Sequence, residues 1–282
     1  MGTVRDAATV MLVRDAPDLQ VFMLRRNLRS EWVAGAYLFP GGAVDPEDRT
    51  DESYERCPGR TDAAASALLG VGSGGLGFWV AAIRESFEEA GVLLASPRGS
   101  AGLDLSDLES ERAAVNCGDR RFLDVLTAQD LVLDVDRLHL FSHWITPAGM
   151  ARRYDTWFFV AEAPEGHTYF HDDGETVAST WIRPADALER ADAGELELIF
   201  PTRRSLEALT RFESAAEVVS VVRDASDLPP ATQPRIVADG NGARLLLAGD
   251  PGYDDAVEPA DGSIAGPALQ ALRAAERQPG SA

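Results

Sequence analysis

Apolar positions along the chain follow two periods. Residues 8–14 and 19–25 are near-continuous apolar runs separated by Asp15-Ala16-Pro17-Asp18, which predicts two strands joined as an antiparallel hairpin. A polar, Arg-rich stretch follows over 26–31, then an apolar run over 32–39 that closes at Pro40-Gly41-Gly42. Residues 45–75 change character, being acidic and then rich in Ala, Gly and Ser, and read as an insertion with a short helix at 63–69. From 77 to 95 the residues Phe78, Ala81, Ala82, Phe87, Val92 and Leu93 recur near helical spacing, predicting a helix with one buried side. Two shorter helices are expected over 105–115 and 121–129, and strands over 138–146, 156–163 and 177–182. Pro184 opens a further helix to residue 191, and 202–215 reads as the last helix. After Pro229-Pro230 a hairpin over 235–247 should turn at Asp239-Gly240-Asn241-Gly242, and the Gly-, Pro- and Asp-rich end from Pro251 reads as partly disordered.

Strands alternate irregularly with helices, which excludes a regular parallel βαβ array. The expected class is α/β, a three-layer α/β/α sandwich around a mixed sheet. Residues 1–225 would form one domain carrying the insertion at about 49–75, and 226–282 an extension of hairpin and tail.

Charge narrows the range of partners. The 282 residues carry 46 acidic against 26 basic side chains, a formal charge of −20, and every basic residue other than His is Arg because there is no lysine. So negative a surface repels a polyphosphate backbone, so nucleic acid is excluded as the expected partner. An anionic small molecule would have to be held by metal or by guanidinium groups. No run reaches the roughly 18 apolar residues of a membrane span, the start lacks the order of a signal peptide, and the expected location is cytoplasmic, with no membrane partner. Cys57 and Cys117 show no metal or disulfide spacing, and His139, His143, His167 and His171 show none either.

The chemistry concentrates in Arg84-Glu85-Ser86-Phe87-Glu88-Glu89-Ala90-Gly91-Val92. On a helix Glu85, Glu88 and Glu89 stand at i, i+3 and i+4 and share one face. Acidic residues on such a face are commonly just its solvated side. Three carboxylates so close also repel one another unless a cation sits among them, and hard divalent ions with oxygen ligands, Mg²⁺ or Mn²⁺, suit them. Arg84 and Glu88 form a further i, i+4 pair that can orient one carboxylate. Gly41 and Gly42, ending an apolar run, supply backbone that a ligand can approach closely.

These stretches together resemble the Nudix box, G-x5-E-x7-R-E-U-x-E-E-x-G-U with U apolar. Arg84 to Val92 match its second half with Ser86 at the first U, and Gly42 to Asp48 match its first half with Asp in place of Glu. From Asp48 to Arg84 is 36 positions where the box expects 8, so about 28 extra residues split it. The split resembles that of the RP2-type peroxisomal coenzyme A diphosphatases, the nucleoside diphosphate-linked moiety X motif 19 family. Supporting stretches are 24–30, 39–45, 87–94, 144–147 and 152–156, within a likeness that runs from about residue 8 to 212. The resemblance implies a Nudix fold and a hydrolase that uses divalent ions to activate water against one phosphorus of a nucleoside diphosphate derivative. It makes Glu85, Glu88, Glu89 and the Gly41 carbonyl metal ligands, with Glu85 doubling as general base and Arg84 orienting the carboxylates.

Family members often place the base, or a further ligand, on a loop outside the box. Glu175, six positions before Trp181, is the candidate here, although a solvated turn explains it equally well. Arg25, Arg26 and Arg29 are candidates to grip substrate phosphates, with plain surface charge as the other reading. Arg152 or Arg153 could face the cleft, a structural ion pair being the commoner use. Tyr154, Trp157 and Phe170 could stack on a base, although on strands such residues are more often core. The resulting expectation is a diphosphatase of coenzyme A or acyl-coenzyme A, with a small-molecule nucleotide as partner and a homodimer compatible with the sequence. Hydrolysis of ADP-ribose, dinucleotides or ADP-sugars is the alternative within enzymes. A non-catalytic nucleotide sensor is the alternative outside them, and the intact Arg84, Glu85, Glu88 and Glu89 argue against it.

Overall fold

The computed structural model describes residues 4–27, 35–99, 108–167, 169, 175–239, 242–260 and 262–264. In chain order the strands are β1 (Arg5–Asp15), β2 (Leu19–Arg26), β3 (Tyr37–Leu38), β4 (Gly41–Ala43), β5 (Ala95–Pro97), β6 (Leu131–Leu133), β7 (His139–Ile145), β8 (Tyr154–Glu162), β9 (Thr176–Ile182), β10 (Ala231–Thr232), β11 (Arg235–Asp239) and β12 (Gly242–Leu246). The helices are α1 (Asp51–Tyr54), α2 (Asp62–Leu69), α3 (Gly77–Ala90), α4 (Leu108–Asn116), α5 (Phe122–Ala128), α6 (Pro184–Asp192), α7 (Phe200–Leu209) and α8 (Ala215–Arg223).

The sheet is mixed, in the order β10-β7-β8-β1-β2-β3, with β4 also paired to β1 and β9 to β2. The predicted hairpin pairs Val13 with Val21, while β1 runs parallel to β8 and β10 parallel to β7. Successive residues of β1 serve opposite faces. Val10 and Leu12 join one buried cluster with Phe78, Ile83 and Phe87 of α3, whereas Met11 and Val13 join a second with Ala187 of α6, Leu206 of α7 and Val218 of α8. Two helical layers therefore enclose one sheet, as expected of the α/β/α class.

Helix α3 is shorter than the predicted 77–95. Gly91 adopts φ +70, its amide bonds to the Phe87 carbonyl at 3.0 Å and that of Val92 to the Ser86 carbonyl at 3.1 Å, a glycine stop that satisfies the last carbonyls. Val92 and Leu93 keep the helical spacing because they return to the same core, not because the helix continues. The helix expected over 202–215 stops at Leu209 as α7, and α8, over Ala215–Arg223, was not expected. The chain breaks at 210–214, and Ser214 caps α8 by accepting from the Glu217 amide. The pair β5–β6 was not anticipated, being only three residues long on each side.

The insertion has more structure than its composition suggests. Besides the expected α2, it contains a 3-10 turn at Pro46–Arg49 and α1, and Thr50 and Thr61 cap the two helices through the amides of Ser53 and Ala64. Cys57, Ala65 and Leu69 are buried in the α3-side core. The Asp62 carboxylate accepts from the amides of Gly74 and Leu76, each at 3.0 Å, closing the excursion against the start of α3. The segment is mostly exposed, and the few side chains that it buries are chiefly small ones that fit against α3. At the other end, the predicted hairpin is present as β11 and β12, with residues 240 and 241 of its turn outside the described residues. Residues 251–260 and 262–264 are described and mostly exposed, with the Gly262 and Ile264 amides bonded to the Met150 and Gly149 carbonyls. The remainder of the predicted tail lies outside the described residues.

Candidate active site

The two half-boxes, separated by 36 positions in sequence, meet in space through Arg84. Its guanidinium donates from Nε and Nη2 to Asp48 at 2.9 and 3.0 Å, a bidentate pair, and from Nη2 to the Ala43 carbonyl at 2.9 Å. Its Nη1 reaches Glu85 at 2.8 Å and Glu88 at 3.1 Å. Asp48 is 2 % exposed and Arg84 8 % exposed, so one buried cation organises three carboxylates. Burial works against charge on Arg84, yet Asp48, Glu85 and Glu88 hold its pKa above the usual guanidinium value.

Glu89 stands apart from Arg84 and accepts from the Gly41 amide at 2.9 Å. This observed contact runs through the Gly41 amide, where the sequence reading looked to the carbonyl. Burial, reinforced by Glu85, raises the Glu89 pKa well above the ordinary carboxylate value. The Glu85 carboxyl is pushed up to about 7 chiefly by burial, against the pull of Arg84 and with the push of Glu88. Burial raises Glu88 as well. Burial is thus the main cause that disfavours three charged carboxylates on this helix face.

A cleft of about 610 Å³ opens onto these groups. Arg84, Glu85, Glu88 and Glu89 line it with Gly41 and Gly42, as do Arg26, Arg152, Tyr154 and Glu175. Glu175 is mostly exposed and pairs with Arg26 at 3.4 Å. Arg25 does not line the cleft; its guanidinium stands 6.0 Å from the Tyr37 ring centroid, because neighbours along a strand are sent to opposite sides. Arg29, Phe170 and His171 lie outside the described residues. Trp157 is core, stacked on His143 with centroids 3.8 Å apart, and His143 also pairs with Asp155. Arg153 turns to the Thr146 carbonyl at 3.1 Å. None of residues 46–83 lines the cleft; Cys57, Ala65 and Leu69 of the insertion pack into the core beneath α3, while Leu68 and Val71 stay exposed.

With the split box assembled in three dimensions, similarity to known proteins becomes interpretable. The family model described as the NUDT19 Nudix domain matches residues 61–208. The chain belongs to the NUDT19 family of Nudix hydrolases. Relatives include the acyl-coenzyme A diphosphatase NUDT19 of Gallus gallus, 32% identical over an alignment covering 74% of this chain and 69% of that protein. The protein of the same name from Homo sapiens is 29% identical, with 72% of this chain and 64% of that one covered. The crystal structure of a NUDIX hydrolase from Alicyclobacillus acidocaldarius, 27% identical, superposes with a TM-score of 0.64 over 81% of this chain and 98% of that chain.

Nudix hydrolases generally depend on a divalent metal, and the donor set here fits one. Glu85, Glu88 and Glu89 are hard oxygen donors on one helix face, short of positive charge and partly buried. Among the described residues no three acidic, Cys or His groups already stand as a ready ligand cluster, and the present partners of these carboxylates are Arg84 and the Gly41 amide. The cradle around them is tight. A Cβ on Gly42 would lie 2.3 Å from Glu85 Oε1 and one on Gly41 would lie 2.5 Å from the Ala8 carbonyl oxygen. Gly42→Ala in this Nudix hydrolase is therefore expected to push the Glu85 carboxylate aside and lower kcat while thermal stability changes little. Steady-state kinetics with a melting curve test this, and unchanged kcat would refute it.

Sequence reasoning missed one site element. Arg112, 8 % exposed on α4, donates to the Glu88 carbonyl at 2.8 Å and the Glu89 carbonyl at 2.7 Å, with Asn116 adding a 3.0 Å bond to Glu88. These side chains satisfy orphan carbonyls at the end of α3 and set a cation against its dipole. No motif announces them, since they recognise backbone; an Arg inside a predicted helix soon after a glycine stop was the available signal.

Proposed function

We propose that this Nudix hydrolase cleaves the diphosphate of coenzyme A or acyl-coenzyme A, using Mg²⁺ or Mn²⁺ held by Glu85, Glu88 and Glu89. The observation that carries the reading is the assembled split box: Asp48 and Arg84 paired, with the three glutamates facing a cleft large enough for an extended nucleotide. The relatives' printed activity supplies the substrate class.

Within this reading a bound metal neutralises phosphate oxygens and lowers the pKa of water. Glu85, on the helix face that lines the cleft, is the carboxylate that would take the proton from the attacking water. Arg84 keeps Glu85 and Glu88 in place, and Gly41 fixes Glu89. Arg26, Arg152 and Tyr154 line the cleft where an anionic, base-bearing ligand would lie, and Glu175 is the further acid beside them. The water oxygen bonds to one phosphorus as the bridging oxygen leaves, so coenzyme A yields 4′-phosphopantetheine and 3′,5′-ADP. A cytoplasmic location agrees with two free thiols, Cys57 buried and Cys117 exposed, among the described residues. No helix among these residues is long and apolar enough to cross a membrane.

The test is mass identification of products from coenzyme A, ADP-ribose and a dinucleotide, with Mg²⁺, with Mn²⁺ and after chelation. Coenzyme A is expected to be the best of the three, giving the two products named, with activity lost on chelation. Preference for ADP-ribose or the dinucleotide would overturn the substrate reading, and full activity without metal would overturn the metal reading.

A further inference from the structure

The region beyond residue 208 lies outside the matched family model, yet it supplies part of the cleft. Pro234, Ile236 and Leu245 do this, and a later segment braces a turn that lines the same cleft. Strand β10 extends the sheet by pairing Ala231 with His143 and Thr232 with Trp144, which carries the chain to Pro234 and Ile236 at the cleft wall, joined there by Leu245 of β12. Pro259 and residues 262–264 then close on the turn after β7: the Ile264 amide bonds to the Gly149 carbonyl at 2.9 Å and that of Gly262 to the Met150 carbonyl at 3.3 Å. Gly149 has φ +90, and a Cβ there would lie 2.5 Å from Ile264 and 2.6 Å from Pro259, so this packing is close. The turn it braces contributes Pro147 and Met150 to the same cleft.

The wall so formed differs in chemistry from the catalytic side. Pro234, Ile236 and Leu245 line the cleft together with Trp144, Phe158 and Phe200, of which Trp144 and Phe200 meet edge to face at 5.8 Å. The carboxylates and Arg26 line the same cleft, which therefore offers apolar as well as charged lining. A nucleotide diphosphate alone has little use for so extensive an apolar surface; a substrate bearing an alkyl chain gains from it, at roughly four-fold in affinity per fully buried methylene.

We propose that the C-terminal extension builds a subsite for the acyl chain of an acyl-coenzyme A, so that chain preference is set by Ile236 and Leu245 and not by the Nudix box. This rests on the coenzyme A reading above. The experiment compares kcat/KM for coenzyme A and octanoyl-coenzyme A in the full-length protein, in Leu245→Asp and in Leu245→Ala, with melting curves for each. Leu245 is only partly buried, and the Ala variant keeps the test alive if the charged one misfolds. The wild type is expected to prefer the octanoyl substrate. In Leu245→Asp that preference should fall about ten-fold while kcat/KM for coenzyme A stays within about two-fold, with a smaller change in the same direction for Ala. An unchanged preference, or an equal loss for both substrates, would overturn the subsite, the latter showing that the wall serves the part they share. If the wild type cleaves neither substrate, the coenzyme A reading fails first and the subsite with it, an outcome the wild-type arm identifies on its own.

Discussion

Glu85→Gln is expected to lower kcat by about 10²–10⁴-fold, the range for loss of a positioned general base, while the protein stays folded. The amide keeps an oxygen that can accept the 2.8 Å bond from Arg84 and occupies the same space over Gly42. What it loses is charge and basicity. The substitution should also alter the pH dependence of stability in the metal-free protein. Glu85 has its folded pKa raised to about 7 from an ordinary 4.5, so the folded state binds a proton more tightly than the unfolded chain. Such a group contributes stability that is fully present below about 4.5 and lost as pH rises through 7, on the order of 3 kcal/mol in all. Wild type should therefore lose stability across that window, and Glu85→Gln should lose less. Denaturant titrations at pH 5 and 8 with chelator measure it. Near-normal turnover in the variant would remove Glu85 from the chemistry, and parallel pH profiles would refute the electrostatic account.

How much of this was legible beforehand depends on the range of each interaction. The α3 glutamates were readable because i, i+3 and i+4 spacing is local, and the β1–β2 hairpin because Asp15-Ala16-Pro17-Asp18 separates two apolar runs. The limits of elements were less so. Val92 and Leu93 carried the helical period past Gly91, and apolar residues on both sides of Ser214 hid the break between α7 and α8. Among candidate phosphate ligands, sequence could not separate Arg25 from Arg26, which are adjacent yet differently disposed. Composition did not show where the insertion and the chain near 262–264 are tied down, by amides bonded to the Asp62 carboxylate and to the Gly149 and Met150 carbonyls. Such contacts depend on which backbones approach, and no side-chain pattern encodes that.

Asp48 is the residue whose importance grew most on passing from sequence to structure, and Asp48→Ala is expected to cost about 3 kcal/mol of stability together with most of the activity. The side chain is 2 % exposed and does two things at once: it pairs with Arg84 at 2.9 and 3.0 Å and accepts the Asp45 amide at 2.8 Å, closing the turn that begins the insertion. Alanine leaves a buried guanidinium short of its main partner and an amide without an acceptor. Arg84 would keep Glu85, Glu88 and the Ala43 carbonyl, which holds the loss to the lower part of the range for a broken buried pair. Those remaining bonds would then carry the whole cation, drawing the glutamates toward Arg84 and away from the cleft, so kcat should fall with stability. A double-mutant cycle with Arg84→Met separates the pair from its surroundings: a coupling of at least about 1 kcal/mol is expected for partners in direct contact. Additive losses in denaturant unfolding would mean that Asp48 and Arg84 act independently, and that the two halves of the box are held together by something other than this ion pair.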